Sequence, residues 1–254
     1  MKLGVIGKGK AGSSLMAALR ESGTEIAWWW SPRDGGSIEA LEPADVILLA
    51  VADRAIRSTA ERLAARPSAG SEVWLHLSGF HPGSLIRLSA DIPRSAGCMH
   101  PLCALDGSEI SVSHLEGCVA GIDGDDEAVA AARELSLALG MDPVRLVEGT
   151  KGVYHASAVT VAGHVTALFD RAAKALEGCG FDEDGARKAL HRLLKTAVDN
   201  LEVGAPAEVL TGPVARGDSQ VTEAHLRALE SVDPKLAELY AGLAEIAAEL
   251  VARS

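Results

Sequence analysis

A short apolar run, Leu3–Ile6, leads straight into Gly7-Lys8-Gly9-Lys10-Ala11-Gly12, and a helical pattern follows to about Arg20. G-x-G-x-x-G between a strand and a helix leaves few folds open. Gly7 permits a tight turn, Gly9 lets backbone approach a bound group, and Gly12 lets the helix pack closely on the strand. Free N–H groups at the helix start then face an anion, and a pyrophosphate suits them. The bland alternative is a plain glycine turn. The flanking strand and helix favour a dinucleotide site built from Gly7, Lys8, Gly9, Lys10, Ala11 and Gly12.

The first half of the chain repeats this alternation. Glu25–Trp30, Asp45–Val51 and Glu72–Leu77 read as strands, with Cys118–Ile122 a weaker one and Val144–Val147 the last. Asp45–Val51 is nearly all apolar, as in a strand covered on both faces. The pattern predicts an α/β fold of Rossmann type, a doubly wound parallel sheet. Beyond it, Lys151–Glu177 reads as one long helix, broken by Gly178-Cys179-Gly180. Asp184–Val203, Ser219–Leu229 and Pro234–Ala252 read as further helices. The expected division is residues 1–148 as a dinucleotide-binding domain and 149–254 as an all-helical domain for substrate and dimerisation.

Charge narrows the partners. The chain has 254 residues with 35 acidic and 24 basic side chains, a net charge of -11. That argues against nucleic acid and against anionic membrane, both of which need a basic face. Cys98, Cys103, Cys118 and Cys179 form no C-x-x-C pair, and no metal-ligand spacing is present. We expect a reduced cytoplasmic protein without signal peptide or membrane span.

A local basic pocket remains possible within that balance. Coenzyme sites that prefer NAD place an acid at the end of the second strand. Here the strand ends in Trp28-Trp29-Trp30 and continues Ser31-Pro32-Arg33-Asp34. Ser31 offers a hydroxyl and Arg33 suits a 2′-phosphate, so NADP is the expected cofactor, with NAD as the alternative. Val51-Ala52-Asp53 and Ser78 end later strands and should line the same cleft, although Asp53 equally suits a helix N-cap.

Three residues are candidates for catalysis. Lys151 and His155 lie four apart on one helix face where the two halves meet, and His100 follows in Cys98-Met99-His100-Pro101. A lysine or histidine beside a nicotinamide can exchange a proton as hydride moves. The alternatives are solvated first-turn residues for the pair and a loop-positioning role for His100. Tyr154, Ala158, Val161, Val165, Leu168 and Ala172 form a neighbouring stripe expected to enter the core. Leu210–Asp218 is a dense loop in which Thr211 and Arg216 could bind a substrate anion, or Arg216 could pair with Asp218.

Six segments carry a resemblance: GVIGKGKAG at Gly4–Gly12, DVILLAVAD at Asp45–Asp53, HLSG at His76–Gly79, MHPL at Met99–Leu102, KGVYHASAV at Lys151–Val159 and LTGPVARGD at Leu210–Asp218. The chain resembles a family of bacterial Rossmann-like proteins, predicted oxidoreductases, with a C-terminal helical domain of unknown function. More distantly it is similar to pyrroline-5-carboxylate reductase, prephenate dehydrogenase and the β-hydroxyacid dehydrogenases. Lys151 matches the lysine that opens the long helix in the last group, with His155 where that group has Asn. The resemblance implies hydride transfer between a nicotinamide and a small carbonyl, hydroxyacid or imine substrate, in a homodimer joined through the helical domain. A coenzyme-binding sensor or assembly protein without turnover is the competing expectation, and a scaffold with a vestigial loop a third.

Overall fold

The computed structural model describes residues 1–66, 72–88, 95–110 and 112–253. The chain forms two compact units, Met1–Val159 and Thr160–Ser254. The division falls inside the helical stretch that opens at Lys151, rather than at the composition change near Glu148. The reason is local: the side chains of Lys151 and Tyr154 bond to the sheet, so the first helical turns belong with it.

The first unit runs β1 (Lys2–Ile6), α1 (Lys10–Glu21), β2 (Glu25–Trp30), β3 (Val46–Leu49), α2 (Asp53–Ala64), β4 (Val73–His76), β5 (Ala96–Pro101), β6 (Val119–Gly124), α3 (Asp126–Ala138), β7 (Asp142–Arg145) and α4 (Lys151–Val159). The strands form one Rossmann-like sheet in the order β2-β1-β3-β4-β5-β6-β7. Along β3, Val46 and Leu48 enter the core on one face while Ile47 and Leu49 enter the core on the other. Period-two side chains with both faces covered explain the unbroken apolar run.

Two expectations need correction. Ala96–Pro101 is a strand, although Gly97 and the His-Pro pair obscure its pattern; Pro101 is tolerated because it ends the strand. The sheet is also not wholly parallel, since β6 runs antiparallel to β5. The connection between them carries no crossover α-helix among its described residues, so the chain returns directly.

The second unit continues with a π-helical turn at Thr160–His164, then α5 (Val165–Glu177), α6 (Glu183–Val203), α7 (Pro206–Val209), α8 (Ser219–Val232) and α9 (Pro234–Ala252). Lys151–Glu177 is therefore two helices joined by a π turn, a feature that shifts the phase of everything after it. The expected core stripe does not form, and Val161 is 74% exposed. Among the described residues of this unit only Ala173, Ala186, Leu236 and Ala237 are buried apolar side chains. An apolar groove of about 650 Å³ remains between its helices, walled by Leu168, Leu176, Leu190, Leu236 and Leu243.

Candidate coenzyme and active site

The glycine loop has the geometry that each glycine implies. Gly7 has φ +115° and donates its amide to the Trp30 carbonyl at 2.8 Å. A Cβ there would lie 2.1 Å from the Ala50 carbonyl oxygen, and one on Gly12 would lie 2.3 Å from the Gly7 oxygen. Around Gly9 there is no atom within 4 Å of a built Cβ, so that face is open. Gly9 caps α1 and no side chain caps the amides that follow, which begin with Lys10 and Ala11. Open backbone donors at a helix N-terminus fit a pyrophosphate.

The tryptophan triplet braces this loop. The Trp29 indole donates to the Gly7 carbonyl at 2.9 Å and the Trp30 indole to Gly35 at 3.1 Å. Lys8 stands over the Trp29 ring, 4.7 Å from its centroid, and pairs with Asp34 at 3.0 Å. That Lys8 bond, helped by the Ser31 amide, holds the Asp34 carboxyl below its usual range. Ser31 accepts from the Arg33 amide and forms a capping box with Asp34. The Arg33 side chain is exposed. Asp34 is thus engaged by Lys8 and the Ser31 amide, while Arg33 faces solvent beside it.

At the end of β3, Val51, Ala52 and Asp53 lie at least partly open to solvent. Ala52 is the N-cap of α2 and Asp53 its first residue, so the N-cap reading of Asp53 is corrected. The β4 turn is more constrained. His76 is fully buried; its Nδ1 accepts from the Ser78 amide at 3.1 Å and its Nε2 lies 3.1 Å from the Pro82 carbonyl. An accepting Nδ1 requires a donating Nε2–H, so His76 is one neutral tautomer. Burial pushes its pKa down to about 4. Ser78 accepts from the Phe80 and His81 amides at 3.2 and 3.0 Å, so its hydroxyl organises its own turn.

Lys151 is buried and donates to the Ser78 carbonyl at 2.8 Å, with Cys98 Sγ beside it and Asp123 Oδ2 at 3.8 Å. Burial pushes the Cys98 thiol up, keeping it protonated despite the neighbouring ammonium. Asp123 also accepts from the Gly83 amide at 2.9 Å. Lys151 therefore ties α4 to β4, β5 and β6. The solvated first-turn alternative does not describe it.

Beyond Lys151, three rings converge. His100 Nδ1 lies 2.9 Å from the Tyr154 hydroxyl, which is 3.2 Å from the His100 carbonyl. The His100 and His155 rings meet edge to face at 5.6 Å. Two glycines make room. A Cβ on Gly121 would lie 2.5 Å from the Tyr154 oxygen, and one on Gly79 would lie 2.4 Å from His155 Nδ1 and 2.8 Å from His100 Nε2. Burial, with the neighbouring His155, lowers the His100 pKa to about 4, and burial raises Tyr154 to about 12. His155 Nδ1 is buried without a hydrogen-bond partner among the described residues. A buried polar nitrogen without a partner is costly.

Sequence reasoning missed Tyr154, which it assigned to a core stripe, and the bracing roles of His76, Asp123 and Trp29. The signal for Tyr154 was its place between Lys151 and His155; helical periodicity alone cannot tell a packed tyrosine from a bonded one. Thr211 and Arg216 belong to the second unit, and both are exposed. No Arg216–Asp218 bond forms among the described contacts; Asp218 instead caps α8 by accepting from the Val221 amide at 3.2 Å. No metal cluster and no membrane-crossing helix occur among the described residues.

The family described as a domain of unknown function (DUF2520) matches residues 118–246. The chain belongs to the DUF2520 family. No curated protein matches it. Protein TM1727 of Thermotoga maritima shares the fold with a TM-score of 0.79 at 22% identity, covering 99% of this chain and 98% of its own. Protein BF3122 of Bacteroides fragilis, provisionally named an NADP oxidoreductase, gives 0.79 at 19%, covering 98% of each chain. The Plasmodium falciparum pyrroline carboxylate reductase, solved with NADP bound, gives 0.64 at 14%, covering 99% and 98%. These likenesses show the fold of this DUF2520 member.

Proposed function

We propose that this protein is an NADP-dependent oxidoreductase whose coenzyme lies across the carboxyl ends of β1, β3 and β4. The open face at Gly9, above uncapped α1 amides, carries the reading. Gly7, Lys8, Gly9, Lys10, Ala11 and Gly12 would hold the pyrophosphate. Ser31 and Arg33 would take the 2′-phosphate, with Lys8 adding charge. Val51, Ala52, Asp53 and Ser78 would line the path toward His100 and His155. Bound, the coenzyme supplies the hydride donor or acceptor. BF3122 and the NADP-bound reductase support this choice through their shared fold.

The substrate would be a small polar carbonyl, hydroxyacid or imine compound. His100 Nε2 and His155 Nδ1 would contact it, since both face Gly79 and His155 Nδ1 lacks a partner among the described residues. Lys151 holds the Ser78 turn in place and acts through it. Thr211 and Arg216, both exposed on the second unit, are our candidates for binding a substrate anion. We assign the first unit to coenzyme binding and to the His100 and His155 contacts, and the second to further substrate binding and dimerisation. Its sparse core and exposed Leu193, Val198, Leu201 and Ile246 support a homodimer, to be checked by light scattering. Four free cysteines support a cytoplasmic location.

Calorimetry tests the coenzyme: NADPH should bind more tightly than NADH, and Arg33→Ala should remove most of that preference, about tenfold or more. Equal weak binding of both by wild type would end the proposal. Engagement of Lys151 by Ser78 favours one second reading, a coenzyme sensor without turnover. NADPH binding with no oxidation across a panel of keto acids and cyclic imines would select it.

A further inference from the structure

The two contacts of the Tyr154 hydroxyl decide the protonation pattern of His100. The oxygen lies 2.9 Å from Nδ1 and 3.2 Å from the His100 carbonyl. Tyr154 carries one proton. Were it given to Nδ1, two bare oxygens would face each other at the second contact. With Nδ1 protonated, Nδ1–H donates to the tyrosine oxygen, and the tyrosine O–H donates to the carbonyl. Both contacts are then hydrogen bonds, and Nε2 is left as a bare lone pair. Gly121 is what admits the ring to this position.

We propose that Tyr154 is a positioning residue that holds His100 as the Nδ1–H tautomer, so that Nε2 accepts a proton from the substrate. Nε2 faces Gly79, on the same side as the unpartnered His155 Nδ1. The bare Nε2 selects a ligand that brings a donor: a hydroxyl or an N–H group at the carbon to be oxidised. This deepens the oxidoreductase reading and rests on it for the identity of the reaction. The proton leaves the substrate oxygen or nitrogen for Nε2, giving an imidazolium whose Nδ1–H stays on Tyr154, while the hydride on the same carbon would pass to the oxidised coenzyme of the proposed function.

Long-range nitrogen–proton NMR on the labelled full chain, without coenzyme or substrate, reads the tautomer directly. We expect a protonated Nδ1 and a bare Nε2 for His100 at pH 7, and loss of that preference in Tyr154→Phe. A protonated Nε2 in wild type would overturn the proposal, and so would an unchanged tautomer in Tyr154→Phe. Should that variant fail to fold, the wild-type spectrum alone decides. Because the tautomer is read without ligand, a failure of NADPH binding would defeat the coenzyme reading and leave this assignment standing.

Discussion

Lys151 and Ser78, 73 residues apart in sequence, meet in a buried hydrogen bond of 2.8 Å between the ammonium and the Ser78 carbonyl. The bond fixes the turn after β4 against the first turn of α4. His100, Tyr154 and His155 gather just beyond it.

Replacement of Lys151 by Met should therefore cost stability first. It leaves the Ser78 carbonyl and one side of Asp123 without a donor, at about 2 kcal/mol. A fall of roughly 5 °C in the thermal midpoint is expected. An unchanged midpoint would show that the contact contributes nothing.

A buried ion pair elsewhere sets a larger effect. Arg66 and Glu72 pair with side-chain exposures of 0% and 3%, and Glu72 also accepts from the Ala44 amide and the Trp74 indole, both at 3.3 Å. Glu72→Ala would strand the guanidinium in the core, at about 3–5 kcal/mol. Urea unfolding should show a midpoint well below that of wild type, and a double variant Arg66→Met, Glu72→Leu should recover part of the loss.

Acid should weaken the fold through His76. Burial lowers its pKa from 6.5 to about 4. Between those values the unfolded chain binds one more proton than the folded one. Stability is therefore full above pH 6.5 and falls as pH drops toward 4, by about 3 kcal/mol in all. His100 adds a change of the same sign. Denaturation at pH 7 and pH 4.5 measures the slope, which His76→Gln should reduce.

Two glycines of one loop should respond differently. Gly7→Ala combines φ +115° with a Cβ 2.1 Å from the Ala50 oxygen, so roughly 3 kcal/mol of stability should go. Gly9→Ala meets open space, and stability should stay within about 0.5 kcal/mol. Under the proposed function the same Gly9 variant weakens NADPH binding. Equal thermal midpoints for the two variants would contradict the geometry.

Local patterns carried much of the architecture. The G-x-G-x-x-G loop, the apolar β3 run and the change to helices were all legible, because each depends on neighbours along the chain. Ala96–Pro101 was not, since its strand pairing comes from β4 and β6 and overrides a weak local pattern. The reversal of β6 was hidden for the same reason.

The sequence by itself determined a dinucleotide-type loop, an α/β half, a helical half and an acidic surface. Only the tertiary structure decided what the polar residues do. It turned Lys151 inward onto Ser78, drew Tyr154 out of a supposed core stripe onto His100, and left His155 Nδ1 without a partner among the described residues. Spacing along a helix tells which residues share a face, but not which atoms wait on the strand opposite. Those atoms arrive from β4, β5 and β6, and the hydrogen bonds they complete set each role.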